Sequence, residues 1–250
     1  MNTVKIFIVG IDGKMGHMLC KRIAELDGFE VAGGYDLIPD MNYKIFTNVK
    51  DIDAEFDAVI DFSRPETIDT VTVIADKFKC PTVLATTGYN EKQFGKIHAL
   101  SKKVPVFLSG NMSVGIHMMR KLVTEAVKNL WDSFDVEIIE KHHNQKVDAP
   151  SGTAKMLADT VKLAATTPAN FLYGRDGNQA KRNPGDVTVH AVRGGTIVGE
   201  HEVLFAGNDE LITITHTALS RAIFADGAIR AAKFLLGKPA GLYEMKDMIK

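Results

Sequence analysis

The sequence predicts an α/β protein: a doubly wound parallel sheet first, then a second α+β domain built on an open mixed or antiparallel sheet. Three observations carry this. Short β-type runs alternate with helical stretches as far as about residue 113; the first two runs end at Gly10 and Asp36; and beyond Ser113 extended runs are joined by glycine-containing turns.

The elements follow in order. Residues 4–9 form an apolar run, and Met15, Leu19, Ile23 and Leu26 then share one face of a helix. Residues 29–35 form a second strand. Residues 58–62 read as a buried strand, and Pro65 starts the helix after it, where its missing N–H costs nothing. Strands are expected over 81–87 and 105–108, with a helix over 91–102 between them. The later part gives a helix over 114–129, a strand over 136–139 and a helix from Thr153. Three extended runs over 187–193, 196–205 and 210–217 are separated by Gly194-Gly195 and Gly207-Asn208, which predicts an antiparallel meander. Residues 222–236 are helical and free to return to the first part.

Bulk properties exclude several classes of function. A chain of 250 residues suits one large domain or two modest ones. A formal charge of −1 with scattered basic residues argues against nucleic acid or an acidic membrane as partner. Cys20 and Cys80 lie 60 residues apart and match no metal or redox spacing, so buried thiols in a reducing compartment are expected. The N-terminus lacks a basic leader, a long apolar stretch and a cleavage site, and no apolar run is long enough to span a bilayer. A cytoplasmic protein is expected.

Gly10-Ile11-Asp12-Gly13-Lys14-Met15-Gly16 lies between the first strand and the first helix. Glycine there allows a tight turn and lets a pyrophosphate approach the helix N-terminus. Asp12 stands where the usual fingerprint has its second glycine. Asp36, 20 residues beyond Gly16, is placed to accept hydrogen bonds from an adenosine ribose. A carboxylate there repels a 2′-phosphate, and Leu37 supplies no cation, so NADH is expected to serve at least as well as NADPH; Lys14 or Lys44 could reverse this. Ala85-Thr86-Thr87-Gly88 and Ser109-Gly110-Asn111-Met112-Ser113 end two later strands, where a nicotinamide would lie.

The densest chemistry runs from Glu140 to Ala154. It contains His142-His143, Lys146 and Ser151-Gly152-Thr153 at the start of a helix. A hydride added to a C=C or C=N bond must be matched by a proton, which lysine or histidine supplies when its pKa is tuned. The Ser151 and Thr153 hydroxyls, with N–H groups of the helix start, suit one carboxylate of a small dicarboxylate. Adjacent histidines point to different sides of an extended chain and no third ligand is spaced to join them, so no metal is expected. The plainer reading makes Ser151 an N-cap and Lys146 a surface charge. A sugar or aldehyde dehydrogenase would need a nucleophilic cysteine or another lysine motif. A catalytically silent nucleotide sensor would need no proton donor.

These segments resemble the dihydrodipicolinate (4-hydroxy-tetrahydrodipicolinate) reductase family of diaminopimelate–lysine biosynthesis. The likeness rests on residues 10–16, Asp61-Phe62-Ser63-Arg64-Pro65-Glu66, 85–88, Asn111-Met112-Ser113-Val114-Gly115 and 140–154. It continues through Arg193-Gly194-Gly195, Gly199-Glu200-His201, Thr215-His216, Ser220-Arg221 and residues 238–243. The resemblance implies a Rossmann-type NADH- or NADPH-binding domain over 1–113 and 222–250, and a substrate-binding, oligomerising domain over 114–221 in a homotetramer. It implies cofactor contacts from Gly10, Ile11, Asp12, Gly13, Lys14, Met15, Asp36, Ala85, Thr86, Thr87, Ser109, Gly110, Asn111 and Met112. His142 would be the acid/base, His143 a substrate contact and Lys146 the principal proton donor. Gly152 and Thr153 would hold a carboxylate, Ser151 beside them, with Arg221 as a helper. Leu37 stands where some relatives place an arginine, and Ser63 replaces a common threonine.

Overall fold

A computed structural model describes residues 3–38 and 42–249; Met1 and Asn2, the first two residues of the stretch read as leaderless, lie outside the described residues. The chain divides into two compact units, residues 1–114 with 221–250, and residues 115–220.

In the first unit, β1 (Val4–Val9) is an apolar run whose last four residues are buried, as a strand covered on both faces requires. It lies between β2 (Phe29–Tyr35) and β4 (Ala58–Asp61), with β3 (Ile45–Phe46) beyond β2. β5 (Thr82–Leu84), β6 (Pro105–Leu108) and β12 (Gly241–Tyr243) extend the other side. All pairings are parallel, in the order β12-β6-β5-β4-β1-β2-β3. Because the strands are parallel, the loops after β1, β2, β4, β5 and β6 share one edge, and the chain reverses its direction of travel across the sheet at β1.

Side-chain alternation assigns the two faces. Ile6 and Ile8 pack with α1 (Lys14–Ala24) and α6 (Ala222–Leu235); Phe7 and Val9 pack with α2 (Ile68–Phe78) and α3 (Glu91–Ser101). Helix α6 presents Ala225, Gly227, Ala228, Ala231 and Ala232 to this core. Arg22 of α1 reaches Asp226 of α6, Nε to Oδ1, at 2.7 Å. Pro65 opens a 3-10 turn over Pro65–Thr67, and α2 proper starts at Ile68.

In the second unit, α4 (Val114–Leu130) and α5 (Gly152–Ala164) supply apolar faces to a five-stranded sheet. Its strands are β7 (Asp135–His142), β8 (Asn170–Leu172), β9 (Asp186–Arg193), β10 (Gly199–Ala206) and β11 (Leu211–Ala218). The order is β11-β10-β7-β9-β8, with β7–β9 and β8–β9 parallel and β10 antiparallel to both β7 and β11. The expected meander is therefore corrected. Only β10–β11 is a hairpin; β7 lies between β9 and β10, and the Gly194-Gly195 connection arches over its C-terminal end. The Gly194 N–H donates to the His142 carbonyl at 2.9 Å, and the Asn144 N–H to the Gly195 carbonyl at 3.2 Å. β7 also runs three residues past the strand expected from the sequence, ending at His142.

Candidate active site

The glycine turn of the first unit is shaped for close approach. Gly10 has φ +80°, and a Cβ on Gly16 would stand 2.1 Å from the Ile11 carbonyl oxygen, so α1 lies as near to β1 as a backbone allows. Gly13 is the N-cap of α1; no side chain caps it and no acidic residue occupies the first turn. That end of the helix presents positive dipole rather than a carboxylate. Beside it, the Asp36 carboxylate accepts N–H bonds from Asp12 at 3.0 Å and Leu37 at 2.8 Å. A carboxylate has about four acceptor positions, so capacity remains for a ribose diol. Leu37 is 75 % exposed and offers no charge, while Lys44 is paired with Asp53 at 2.5 Å. These residues fit a dinucleotide. Ile11 is fully buried, so only its main chain can reach a ligand; Lys14 is exposed and Met15 half-buried.

The strand-end residues divide. Thr86 is buried, and its hydroxyl donates to Asp61 Oδ2 at 2.8 Å; Ala85 is buried too, whereas Thr87 and Gly110 are exposed. Asp61 has no exposed surface, and also accepts from the Ser63 N–H at 3.1 Å, the Ser63 hydroxyl at 2.5 Å and the Tyr89 hydroxyl at 3.1 Å. Burial pushes its carboxyl up in spite of these donors. Ser109 Oγ donates to the Asn111 carbonyl at 2.8 Å, and Asn111 Oδ1 accepts the Ser113 N–H at 2.9 Å, which turns the backbone after β6. Met112 is a core residue.

The second unit gathers its titratable groups at the C-terminal end of β7. Alternation puts Val136, Ile138, Glu140 and His142 on the buried face, so a carboxylate and an imidazole follow two apolar residues. The Glu140 side chain is fully buried. Its oxygens accept Arg193 Nη1 and Nη2 at 2.7 Å each, the Ser151 N–H at 3.0 Å and His142 Nδ1 at 2.5 Å. Burial pushes this carboxyl up, but the Arg193 guanidinium, the His142 ring and the Ser151 N–H outweigh it and hold it below the usual range. With Nδ1 bound to a carboxylate, Nε2 of His142 is the ring atom left for chemistry. A Cβ on Gly199 would meet that Nε2 at 3.0 Å, so glycine there leaves the imidazole its space.

Ser151 caps α5: its Oγ accepts the Ala154 N–H at 3.1 Å and lies 2.9 Å from His201 Nε2, and the residue is 2 % exposed. The plainer N-cap reading thus describes its hydroxyl, which is held inside the fold; Gly152 is exposed and Thr153 half-buried at the helix start. The His201 ring sits 5.1 Å from that of His142, edge to face. Burial, with His142 alongside, pushes His201 down to about 4, so it is neutral near pH 7. Lys146 Nζ pairs with Asp148 Oδ1 at 2.8 Å, and that bond holds the Asp148 carboxyl low. His143 is half-buried on the other side of the chain from His142. Arg221 is exposed and opens the returning segment of the first unit, although the range expected for the second domain ends with it.

Sequence reasoning gave no role to Glu140, Arg193 or His201. Period-two spacing on one strand would have paired Glu140 with His142; Arg193 lies 53 residues from Glu140 and only strand register brings it there. Among the described residues no group of three or more His, Cys, Asp or Glu could hold a metal ion, and no helix is long and apolar enough to cross a membrane.

Comparison with known proteins covers nearly the whole chain. Residues 4–112 match the family model "Dihydrodipicolinate reductase, N-terminus", and residues 115–249 match "Dihydrodipicolinate reductase, C-terminus". A 4-hydroxy-tetrahydrodipicolinate reductase of Clostridium novyi is 45% identical over 248 residues, covering 98% of each chain. One from Caldanaerobacter subterraneus subsp. tengcongensis is 46% identical over 249 residues, covering 99% of this chain and 98% of its own. The solved structure of a dipicolinate-bound dihydrodipicolinate reductase from Paenisporosarcina sp. TG-14 superposes with a TM-score of 0.79 at 23% identity, covering 97% of each chain.

Proposed function

The chain belongs to the dihydrodipicolinate reductase family, and from that premise we propose how its own residues carry the reaction. It is an NAD(P)H-dependent oxidoreductase of diaminopimelate and lysine biosynthesis, reducing 4-hydroxy-tetrahydrodipicolinate to tetrahydrodipicolinate with loss of water.

NADH or NADPH, when bound, supplies the hydride. Residues 10–15 and the N-terminus of α1 hold its pyrophosphate, Asp36 its ribose, and the ends of β5 and β6 its nicotinamide. In the second unit, Gly152 and Thr153 at the start of α5 hold one substrate carboxylate against the helix dipole. Ser151 shapes that turn from inside. Lys146 delivers the proton, with His142 as the acid/base beside it and His143 against the substrate; Arg221 helps to neutralise the dicarboxylate. Orientation and one general acid account for most of the rate.

The supporting observation is the Glu140 carboxylate, which bonds both the imidazole of His142 and the first N–H of the anion-holding turn. A coupled assay tests the reading. Aspartate semialdehyde, pyruvate and the preceding synthase are mixed with the protein, and oxidation of NADH or NADPH is followed. Cofactor oxidation should require the synthase; none in its presence would refute the function.

A homotetramer is the assembly that accompanies this reading. Ile139 and Leu204 point away from the face that carries the core of the second unit and are only partly buried, which supports burial of that face between subunits. Sedimentation should give four chains per particle. A cytoplasmic location goes with it, in keeping with two buried free cysteines.

A further inference from the structure

We propose that Glu140 is the positioning residue of this site, setting His142, the Lys146 loop and the N-terminus of α5 through one buried carboxylate. The inference rests on the reading of His142 and Lys146 as the proton-handling pair and goes beyond it by assigning what holds them.

The first link is direct: Nδ1 of His142 lies 2.5 Å from Glu140 Oε2. An ionised carboxylate only accepts, so the neutral ring must place its proton on Nδ1 and keep Nε2 as its acceptor nitrogen. The second link passes through Arg193. Its two terminal nitrogens grip Glu140, and Nη2 also donates to the Asp148 carbonyl at 2.7 Å. Asp148 in turn carries Lys146 on its side chain at 2.8 Å. The third link is the Ser151 N–H, 3.0 Å from Oε1, which places the residue preceding Gly152 and Thr153. Three segments far apart in sequence or separated by a turn are thus referred to one point.

A buried Glu–Arg pair is often only a fold element, and such pairs stabilise little over apolar replacements. Here the pair stands among the groups that face His142 from each strand: Glu140 on β7, Arg193 on β9 and His201 on β10, with Lys146 near enough to act on His201. A core ion pair needs no imidazole or catalytic loop attached to it.

The test is Glu140→Gln, which keeps shape and one acceptor but removes the charge, with Glu140→Asp as the conservative comparison. Both are assayed for kcat, KM and the pH dependence of kcat, with dinucleotide affinity measured separately. Glu140→Gln should lower kcat by up to about 10,000-fold, as loss of the orienting carboxylate does in a triad's carboxylate–imidazole pair. It should change the pH profile of kcat and leave NADH affinity unchanged, and Glu140→Asp should recover part of kcat. A folded Glu140→Gln enzyme with unaltered kcat and profile overturns the proposal. Histidine-selective 15N spectra of the unaltered protein give a second measurement that does not depend on the variant folding. Neutral His142 should carry its proton on Nδ1; a proton on Nε2 overturns the assignment. If Lys146→Met and His142→Gln also keep full kcat, the underlying reading fails; if they lose it while Glu140→Gln does not, only this inference fails.

Discussion

Ser151 Oγ and His201 Nε2 lie 2.9 Å apart, both buried, at the point where the cap of α5 meets β10. The contact joins a helix start to a strand 50 residues away and removes the Ser151 hydroxyl from the surface. It also places a histidine where protonation is costly.

Stability should therefore fall in mild acid. His201 is held down to about 4 by burial and by His142, against an ordinary value of 6.5. Between these values the unfolded chain binds a proton that the folded chain does not, so stability present above about pH 6.5 is lost as pH falls towards 4. The loss is about 3 kcal/mol for a shift of this size. His117 and His216 are also lowered by burial and act in the same direction. Thermal unfolding of the His201→Gln variant, compared with the unaltered protein at pH 7 and pH 5, should show a smaller drop; equal drops would exclude His201 as a source.

Lys146→Met should lower kcat by roughly 100- to 10,000-fold, the range for removal of a general acid, with little change in KM. Steady-state kinetics of the coupled reaction read this directly. Survival of kcat would remove Lys146 as the donor.

Asp36→Ala should reduce kcat/KM for NADH by about 10- to 100-fold, since hydrogen bonds to a charged group contribute about 1.5–3 kcal/mol. NADPH should lose less. In the unaltered protein NADH should serve at least as well as NADPH, because Leu37 is apolar and Lys44 is engaged by Asp53. A hundredfold preference for NADPH would reject this account of the ribose site.

Gly16→Ala should destabilise the first unit by about 1–3 kcal/mol or more, as overpacking does. The new methyl would stand 2.1 Å from a backbone carbonyl, which cannot rotate away. Dinucleotide affinity should fall with it. Gly95→Ala in α3 is the control: nothing lies within 4 Å of the added atom, and stability should rise by about 0.5–1 kcal/mol. Equal melting temperatures for the two variants would contradict the packing argument.

Legibility in the sequence followed the range of the forces involved. The runs at 4–9 and 29–35 and the turn between them were plain, because apolar period and glycine geometry act within a few residues. β3, β8 and β12 were missed, being two or three residues long and too short to show a period. The strand legible in the sequence stops at Ile139 because Glu140 looks like a surface charge until Arg193 is brought against it. The expected meander differs from the sheet for a similar reason: Gly194-Gly195 permits a hairpin, but β7 takes the place between the strands that such a hairpin would pair.

By itself the sequence determined the α/β class, the glycine turn with its aspartate, and the short segment in which His142, Lys146 and the Ser-Gly-Thr turn occur together. These depend on spacing along the chain, which no folding event alters. The tertiary structure alone decided that Ser151 faces inward, that His201 is a buried neutral ring, and that Glu140 and Arg193 stand behind His142. The Glu140 charge is kept out of water with Arg193, which arrives from another strand, and that pairing exists only once the sheet has closed its register.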